Sequence, residues 1–310
     1  MSPRATRDAI GEALYELGKE DERIVVIDND IGGACKTDQF KVAFPLRHFN
    51  VGIAEQNGAG IAAGMAASGK IPFVVTFAAF ASMRMAEMIR QEMCYPRLNV
   101  KIIGSHAGLT TASNGASHQS VEDVGIFRSF PHMTIVMAAD YPSAVELTKK
   151  AAYYPGPVYL RYTRADIEDI YTNAKDLEIG KAVFLKEGKD AAILANGDTV
   201  RLAIRAADIL LREGIRVSVL DVHTVKPLDK DAVRKVLDES GKLVSVEDHN
   251  VIGGLGSAVA EVIAEEGRGI LRRVGINDEF GQCGTYEELM DHYGITAETI
   301  AEAVRELCRK

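Results

Sequence analysis

The sequence predicts an α/β fold with two domains, each a mostly parallel sheet with helices on both faces. Strand and helix patterns alternate through the first half of the chain and restart in the second half, and such alternation is typical of a covered parallel sheet. The 310 residues are enough for about two domains of ordinary size. Between residues 165 and 176, charged residues and tyrosines interrupt the apolar rhythm. We therefore expect a first domain at 1–165, a linker at 166–180 and a second domain at 181–310.

The composition is that of a globular protein and argues against several functions. Hydrophobic residues make up 47% and charged residues 26% of the chain, with a net charge of −8 and no basic run, so a nucleic-acid surface is not expected. No apolar run reaches the roughly 18 residues of a membrane span, and the first residues lack the layout of a secretory signal. We expect a cytoplasmic protein without a membrane partner. The four cysteines form no Cys-x-x-Cys pair, which argues against a zinc site or a disulfide framework.

Apolar residues in the first domain follow helical and strand spacing in turn. Ile10, Leu14 and Leu17, for example, recur on one face of a helix. Predicted strands lie at 23–27, 48–51, 71–77, 100–104, 133–138 and 157–162, and predicted helices lie at 5–18, from 55 onward, and at 81–93, 121–129 and 141–153. Residues 106–119 form a long loop rich in Gly, Ser, Thr and Asn.

The same alternation predicts the second domain. Its strands are expected at 190–195, 216–220, 242–247 and 270–274, and its helices at 200–213, 230–239, 256–266 and 297–307. A Gly-rich turn at 253–256 precedes one helix. Such a turn can cradle a phosphate or allow tight packing. We favour packing, because the fuller dinucleotide-binding pattern with its acidic residue is missing.

One carboxylate, Glu55, stands at the start of a run rich in Gly and Ala, residues 56–69. A helix of such small residues can lie close to another backbone, as in a tight interface. A carboxylate shielded from water there can share a proton with a basic nitrogen bound beside it. The alternative is a Glu that is favoured at a helix start by the positive end of the helix dipole.

Other candidate residues follow predicted strands of the first domain. Asp30 follows one strand, Phe77 and Phe80 lie at the end of another, and His106 and His118 lie in the long loop after a third. Ligands bind at the carboxyl ends of parallel strands, and loops of this length are usually functional. With the shielded carboxylate, these residues suggest a flat heteroaromatic ligand held by stacking. The alternative is that the phenylalanines are core residues and the histidines ordinary surface or core groups.

Four segments resemble the carboxyl-terminal half of transketolase, in the split form whose halves are separate polypeptides. They are NVGIAEQN at 50–57, TFAAF at 76–80, GASHQ at 115–119 and IGGLGS at 252–257, and the resemblance extends over nearly all of the chain. It implies a thiamine-diphosphate pyrimidine-binding domain followed by a smaller transketolase C-terminal domain. The implied cofactor is thiamine diphosphate.

The resemblance implies which residues contact the cofactor. Glu55 pairs with the ring nitrogen of the aminopyrimidine and favours the imino tautomer, whose exocyclic nitrogen removes the proton from the thiazolium carbon. Phe80 stacks on the pyrimidine, and Phe77 lines its pocket. Asp30 matches a position at the cofactor cleft. Met83 stands where many family members have an aromatic residue, which makes that wall softer.

The resemblance also implies the substrate contacts. His106 and His118 face the substrate and hydrogen-bond its hydroxyls and developing alkoxide. Arg7 and Arg164 match positions that grip the terminal phosphate of the sugar, a task suited to fixed guanidinium donors. The alternative for Arg164 is an ordinary surface charge.

Two positions depart from the family pattern. Asn114 replaces an Asp that reads a donor hydroxyl, and Ala34 replaces a Ser that contacts phosphate. Because an amide donates as well as accepts, the sugar is expected to differ in stereochemistry, branching or terminal group.

The cofactor's diphosphate has no matching motif in this chain. The family holds it through a metal bound by a Gly-Asp-Gly stretch and a later Asn, because adjacent phosphates need a divalent ion to offset their charge. The nearest segment, 196–199, lacks the second Gly and lies in the wrong domain. The resemblance therefore implies an N-terminal, diphosphate-binding partner subunit that carries Mg²⁺ or Ca²⁺, in an α2β2 heterotetramer.

We expect a subunit of a split transketolase that transfers a two-carbon ketol unit between sugar phosphates or other anionic sugars. One alternative is the β subunit of a 2-oxoacid dehydrogenase first component, or a relative of deoxyxylulose-phosphate synthase. The two-histidine loop favours transketolase, because sugar hydroxyls need such donors. A non-catalytic scaffold is a further alternative, which the joint presence of Glu55, Phe80, His106 and His118 disfavours.

Overall fold

The computed structural model describes residues 3–309, which form fourteen strands and twelve helices. The strands are β1 (Arg4–Ala5), β2 (Ile24–Asp28), β3 (His48–Asn50), β4 (Ile71–Phe77), β5 (Lys101–Ser105), β6 (Thr134–Met137), β7 (Val158–Arg161), β8 (Asp166–Ile167), β9 (Val183–Lys186), β10 (Ala191–Ala195), β11 (Val217–Asp221), β12 (Thr224–Lys226), β13 (Lys242–Asn250) and β14 (Ile270–Ile276). The helices are α1 (Asp8–Glu20), α2 (Gly32–Cys35), α3 (Asp38–Ala43), α4 (Glu55–Ala67), α5 (Ala86–Met88), α6 (Asp123–Arg128), α7 (Tyr141–Tyr153), α8 (Val200–Arg212), α9 (Lys230–Glu239), α10 (Leu255–Glu266), α11 (Tyr286–His292) and α12 (Ala297–Cys308). Among residues 3–309, no helix is long and apolar enough to cross a bilayer.

The first sheet has seven strands in the order β12-β6-β7-β5-β4-β2-β3. Its strands pair in parallel, except that β12 joins the edge in the antiparallel sense. Apolar clusters cover both faces: one includes Ile10 and Leu14 of α1, and the other includes Ala59 and Ala62 of α4. The α/β fold that the sequence predicts is therefore confirmed for this half.

The second sheet has five strands in the order β14-β13-β10-β11-β9, parallel except for the edge strand β9. Helices α8 and α12 pack on one face and α9 and α10 on the other. Strand β12 follows the predicted linker in sequence but belongs to the first sheet. The two halves are thus joined by the pairing of β12 with β6 as well as by the connecting segment.

Several local features differ from the sequence-based expectation. The helix expected at 81–93 consists of wide π-type turns at Phe80–Arg84 and Ile89–Cys94 around the short α5. The predicted linker at 166–180 contains β8, which pairs with β1 near the chain start. Elements of two to four residues carry too little periodicity to be read from sequence.

A buried ion pair of the first half also forms a hydrogen bond to the second half. The Arg161 Nε donates to Asp123 Oδ2 at 2.7 Å, and the Tyr159 hydroxyl donates to the same oxygen at 2.6 Å. The Arg161 Nη2 donates to the backbone carbonyls of Ser120 and Asp248, each at 3.0 Å. Because Asp248 lies in β13, one guanidinium links the first sheet, the start of α6 and the second sheet.

We expect Asp123→Ala to lower the free energy of unfolding by about 3–5 kcal/mol, since it leaves Arg161 buried without its carboxylate. Urea denaturation followed by circular dichroism measures this change. The matched control is Asp238→Ala, which removes a carboxylate paired with Arg268 where the side chains are 64% and 44% exposed. That change should cost less than about 1 kcal/mol. Equal losses in the two variants would contradict the role of the buried pair.

Candidate active site

The candidate residues of the first half meet at one edge of the first sheet. The neighbouring strands β5, β4 and β2 run parallel, with Phe77 opposite Ser105 and Val75 opposite Asp28. Their carboxyl ends therefore lie side by side, where open α/β sheets bind ligands. Asp30, Phe80 and His106 follow directly after these ends.

Two phenylalanines and two histidines form an aromatic cluster: Phe77, Phe80, His106 and His118. The ring centroids of Phe77 and His106 are 4.3 Å apart, and those of Phe80 and His118 are 5.5 Å apart. The two phenylalanine rings are 6.0 Å apart and tilted. Both phenylalanines and His118 are half-buried, whereas His106 is buried. Part of the cluster is therefore open to a flat ring, while Phe77 also packs against the hydrophobic core on one face of the sheet.

The backbone at His106 is held in an unusual conformation. Its φ is 57°, in the left-handed region that non-glycine residues rarely adopt. The Thr111 hydroxyl donates to the His106 carbonyl at 2.6 Å, and the Ala107 N–H donates to the Tyr162 carbonyl at 3.0 Å. Backbone strain of this kind is kept at functional sites when surrounding bonds impose it.

Hydrogen bonds assign the proton on the His106 ring. Arg7 Nη1 lies 2.9 Å from His106 Nε2, and Ser105 Oγ lies 2.8 Å from Nδ1. Because a guanidinium only donates, Nε2 must accept, which leaves the proton on Nδ1 facing Ser105. Burial, followed by the nearby charges of Arg7 and Arg164, lowers the pKa of His106 to about 3. His106 is therefore neutral over the physiological range. Sequence analysis missed Ser105, since only its position beside a histidine at a strand end hints at this contact.

A cleft of about 490 Å³ is lined by both predicted arginines and by one carboxylate, Asp166, and we refer to it as the cationic cleft. Arg7 Nη1 also donates to the Ala34 carbonyl at 3.2 Å. Arg164 Nη1 donates to the Thr111 carbonyl at 3.1 Å and to Asn114 Oδ1 at 3.3 Å. The exposed amide of Asn114, at the first departure from the family pattern, thus contacts one of the two guanidinium groups that line the cleft.

Glu55 begins α4, and its residue is 8% exposed. Its carboxylate has no hydrogen bond or ion pair within residues 3–309. The helix packs closely against Asn29, the residue after β2, because a Cβ at Gly58 would lie 2.6 Å from Asn29 Oδ1. On its other side, a Cβ at Gly64 would meet no described heavy atom within 4 Å. The small residues thus serve a close approach on one side and leave an open face on the other.

Family models match both halves of the chain. Residues 2–169 match the transketolase pyrimidine-binding domain, and residues 180–300 match the transketolase C-terminal domain. The chain belongs to the transketolase family.

Similar proteins include separate transketolase subunits. A solved structure described as a split gene transketolase, inactive β4 tetramer, has a TM-score of 0.90 and 44% identity, with 99% of each chain covered. A 6-deoxy-6-sulfo-D-fructose transketolase subunit from Clostridium sp. (strain MSTE9) is 41% identical over 98% of this chain and 94% of its own length. An apulose-4-phosphate transketolase subunit from Phocaeicola vulgatus is 38% identical over 99% of this chain and 98% of its own length. The predicted family and its split form are confirmed.

The synthase alternative is a more distant match. A 1-deoxy-D-xylulose-5-phosphate synthase from Heliobacterium modesticaldum is 33% identical over 99% of this chain, which spans 48% of that protein. The split transketolase subunits match over nearly their whole length at higher identity.

Two predicted cofactor residues of this transketolase chain, Asp30 and Met83, lie outside the aromatic cluster. Asp30 is exposed and accepts a hydrogen bond from Asn50 Nδ2 at 2.8 Å. Met83 is 51% exposed and lies one turn beyond Phe80. Both are accessible, but the structure itself connects neither to the histidines.

Two segments of the second domain were candidates for binding a metal or a phosphate, 196–199 and 253–256. In both, the groups that would bind such a ligand form hydrogen bonds within the chain. The carboxylate of Asp198 is buried and accepts from the Tyr286 hydroxyl. Glu247 fills the Gly-rich turn, accepting from the N–H groups of Leu255 at 2.7 Å and Gly256 at 2.8 Å, which confirms the packing interpretation. Among residues 3–309, no group of three or more His, Cys, Asp and Glu is arranged to hold a metal ion.

Nitrogen NMR of histidine-labelled protein should find His106 neutral at pH 5, with its proton on Nδ1. Arg7→Met should raise the pKa of His106 from about 3, because one neighbouring positive charge is removed. The value should stay below 6.5, since burial, the largest cause, remains. Arg4→Met is the control, because that guanidinium pairs with Asp169 instead. Protonation of wild-type His106 above pH 6 would contradict the assigned network.

Proposed function

We propose that this chain is the pyrimidine-side subunit of a thiamine-diphosphate-dependent transketolase. Its reaction moves a two-carbon ketol unit between phosphorylated or similarly anionic sugars. The observation that carries the proposal is the meeting of the aromatic cluster with the cationic cleft, joined by the hydrogen bond from Arg7 to His106. One side suits a flat heteroaromatic ring, and the other suits a sugar with a terminal anion.

The residues present fit the cofactor's aminopyrimidine. Glu55 is largely shielded from solvent and has no partner within residues 3–309, so it is available to a ring nitrogen. Phe77 and Phe80 offer half-buried faces for stacking. When bound, thiamine diphosphate would supply the nucleophilic carbon that takes up the two-carbon unit.

The two histidines would act on the sugar through different atoms. Ser117 Oγ lies 2.9 Å from His118 Nδ1, which leaves His118 Nε2 available to a substrate hydroxyl. His106 is neutral and already accepts from Arg7 at Nε2. An anion that draws the Arg7 N–H away would free that nitrogen to accept from a substrate hydroxyl. Substrate charge and hydroxyl recognition are thereby coupled through one hydrogen bond.

The proposed substrate class follows from the charges that line the cleft and from the two positions that depart from the family pattern. Arg7 and Arg164 provide guanidinium donors that suit phosphate or sulfonate oxygens. Ala34 contributes only its backbone carbonyl to Arg7, so the anion would have no side-chain hydroxyl there. One similar subunit is named for a sulfosugar and another for a sugar phosphate. An anionic sugar with either end group is consistent with this cleft.

The remaining parts of the enzyme are assigned to a partner. We propose that an N-terminal transketolase subunit holds the diphosphate and Mg²⁺ or Ca²⁺, and that two copies of each subunit form a cytoplasmic heterotetramer. Support comes from the missing Gly-Asp-Gly motif, the commitment of Asp198 to Tyr286 and the open face of α4. A non-catalytic scaffold has no need for a buried neutral histidine beside two arginines.

The first test is Glu55→Gln in the complex with the partner subunit, thiamine diphosphate and magnesium. Ketol transfer should fall by about 10²–10⁴-fold, because an amide cannot share a proton with the pyrimidine nitrogen. Exchange of the thiazolium carbon's proton with deuterium, followed by NMR, should slow by a similar factor. Glu22→Gln, at an exposed carboxylate, serves as the control. Full-rate transfer by Glu55→Gln would refute the proposed role.

The second test is Asn114→Asp, which restores the family's usual carboxylate. Because Asn114 Oδ1 is 3.3 Å from Arg164 Nη1, the new carboxylate should hold Arg164 back from the substrate's anion. A pair worth up to about 1 kcal/mol raises the KM for an anionic ketose by up to about fivefold, with kcat little changed. Asn173→Asp adds the same charge in the exposed connecting segment and should not alter the KM. An unchanged or lower KM in Asn114→Asp would contradict the placement of the anion at Arg164.

A further inference from the structure

The loop that carries both histidines is held at its first residues by the second domain. Asp248 of β13 is buried, and its two carboxylate oxygens each lie 3.0 Å from the Leu109 N–H. Gly108 has a φ of 60°, and a Cβ there would overlap the Asp248 carboxylate. The close approach of the Asp248 carboxylate to the Leu109 N–H therefore requires glycine at position 108.

The end of the loop is held by the same domain. Gln119 Nε2 donates to the Gln282 carbonyl at 2.9 Å and to the Ala112 carbonyl at 3.2 Å. A Cβ at Gly281 would overlap the Gln119 side chain, and one at Gly115 would lie 2.7 Å from Cys283 Sγ. Residues 281–283 of the second domain therefore pack directly against the segment that contains His118.

The second domain also forms part of the cleft wall. Gly284, Thr285 and Tyr286 line it together with Arg7 and Arg164. The loop's conformation is strained inside these two attachments, since Ala112 has φ 55° and ψ −119°. A strained segment keeps its geometry only when bonds around it impose that geometry.

We propose that Asp248 is a positioning residue for His106 and His118, so that the second domain completes the substrate half of the ketol-transfer site. This role rests on the proposed function. Removing the carboxylate leaves the Leu109 N–H buried without an acceptor, and the loop must move to reach water. Glu55, the residue proposed to promote cofactor activation, begins α4 and lies outside the loop, so cofactor activation should not follow the loop.

The test compares Asp248→Ala and Asp248→Asn in the complex with the partner subunit, thiamine diphosphate and magnesium. For Asp248→Ala, kcat/KM for ketol transfer should fall by about 100-fold, the scale expected when catalytic groups are misplaced by about 1 Å. Deuterium exchange at the thiazolium carbon should stay within about twofold of wild type, because Glu55 is unaffected. Asp248→Asn keeps one acceptor oxygen for Leu109 and should recover most of the transfer rate.

Two further variants keep the test decisive. Gly281→Ala displaces the Gln119 attachment without touching the buried carboxylate, and it should also reduce transfer while sparing exchange. Asp238→Ala, at an exposed carboxylate of the same domain, should leave both rates unchanged. Wild-type transfer in Asp248→Ala or Gly281→Ala, or an equal fall in exchange and transfer, would overturn the positioning role. A wild-type complex that exchanges the proton but transfers no ketol unit would instead refute the proposed function.

Discussion

The hydrogen bond from Arg7 to His106 is the contact on which the site's arrangement depends. It joins the start of α1 to a loop about a hundred positions later, at the carboxyl edge of the first sheet. The bond fixes the tautomer of a buried histidine and holds a guanidinium where a substrate's anion would lie. Burial and the nearby positive charges keep that histidine neutral, so its Nε2 can accept a hydrogen bond without first losing a proton.

Parallel strand order brings this contact about. Because β5, β4 and β2 are neighbours with aligned ends, the segments that follow them converge although they are distant in sequence. The close packing of α4 against Asn29, the residue after β2, then sets Glu55 at the same edge. Glu55 and Phe80 thus come from different segments of the sheet edge than His106 and His118.

Sequence reasoning reached the fold and the family for identifiable reasons, whereas the roles of the site residues stay predictions. Strong apolar periodicity predicted α7 with its observed bounds, and the Gly and Ala run after Glu55 predicted a helix, which the structure has as α4. The π-type turns around α5, the edge strand β12 and the partners Ser105 and Asp248 were not predicted. They depend on contacts between residues far apart in sequence, such as Leu109 with Asp248, and no local pattern encodes such contacts. Asp30 and Met83, like the other site residues, remain predictions, since their proposed partners are a cofactor and a substrate.

The central claim is that this chain holds only the pyrimidine side of a cofactor shared between two polypeptides. Isothermal titration of thiamine diphosphate with magnesium tests it directly, using this chain alone, the N-terminal subunit alone and an equimolar mixture. The account predicts tight binding of one cofactor per subunit pair in the mixture, and binding to either chain alone that is weaker by orders of magnitude. Tight stoichiometric binding by this chain alone would contradict it.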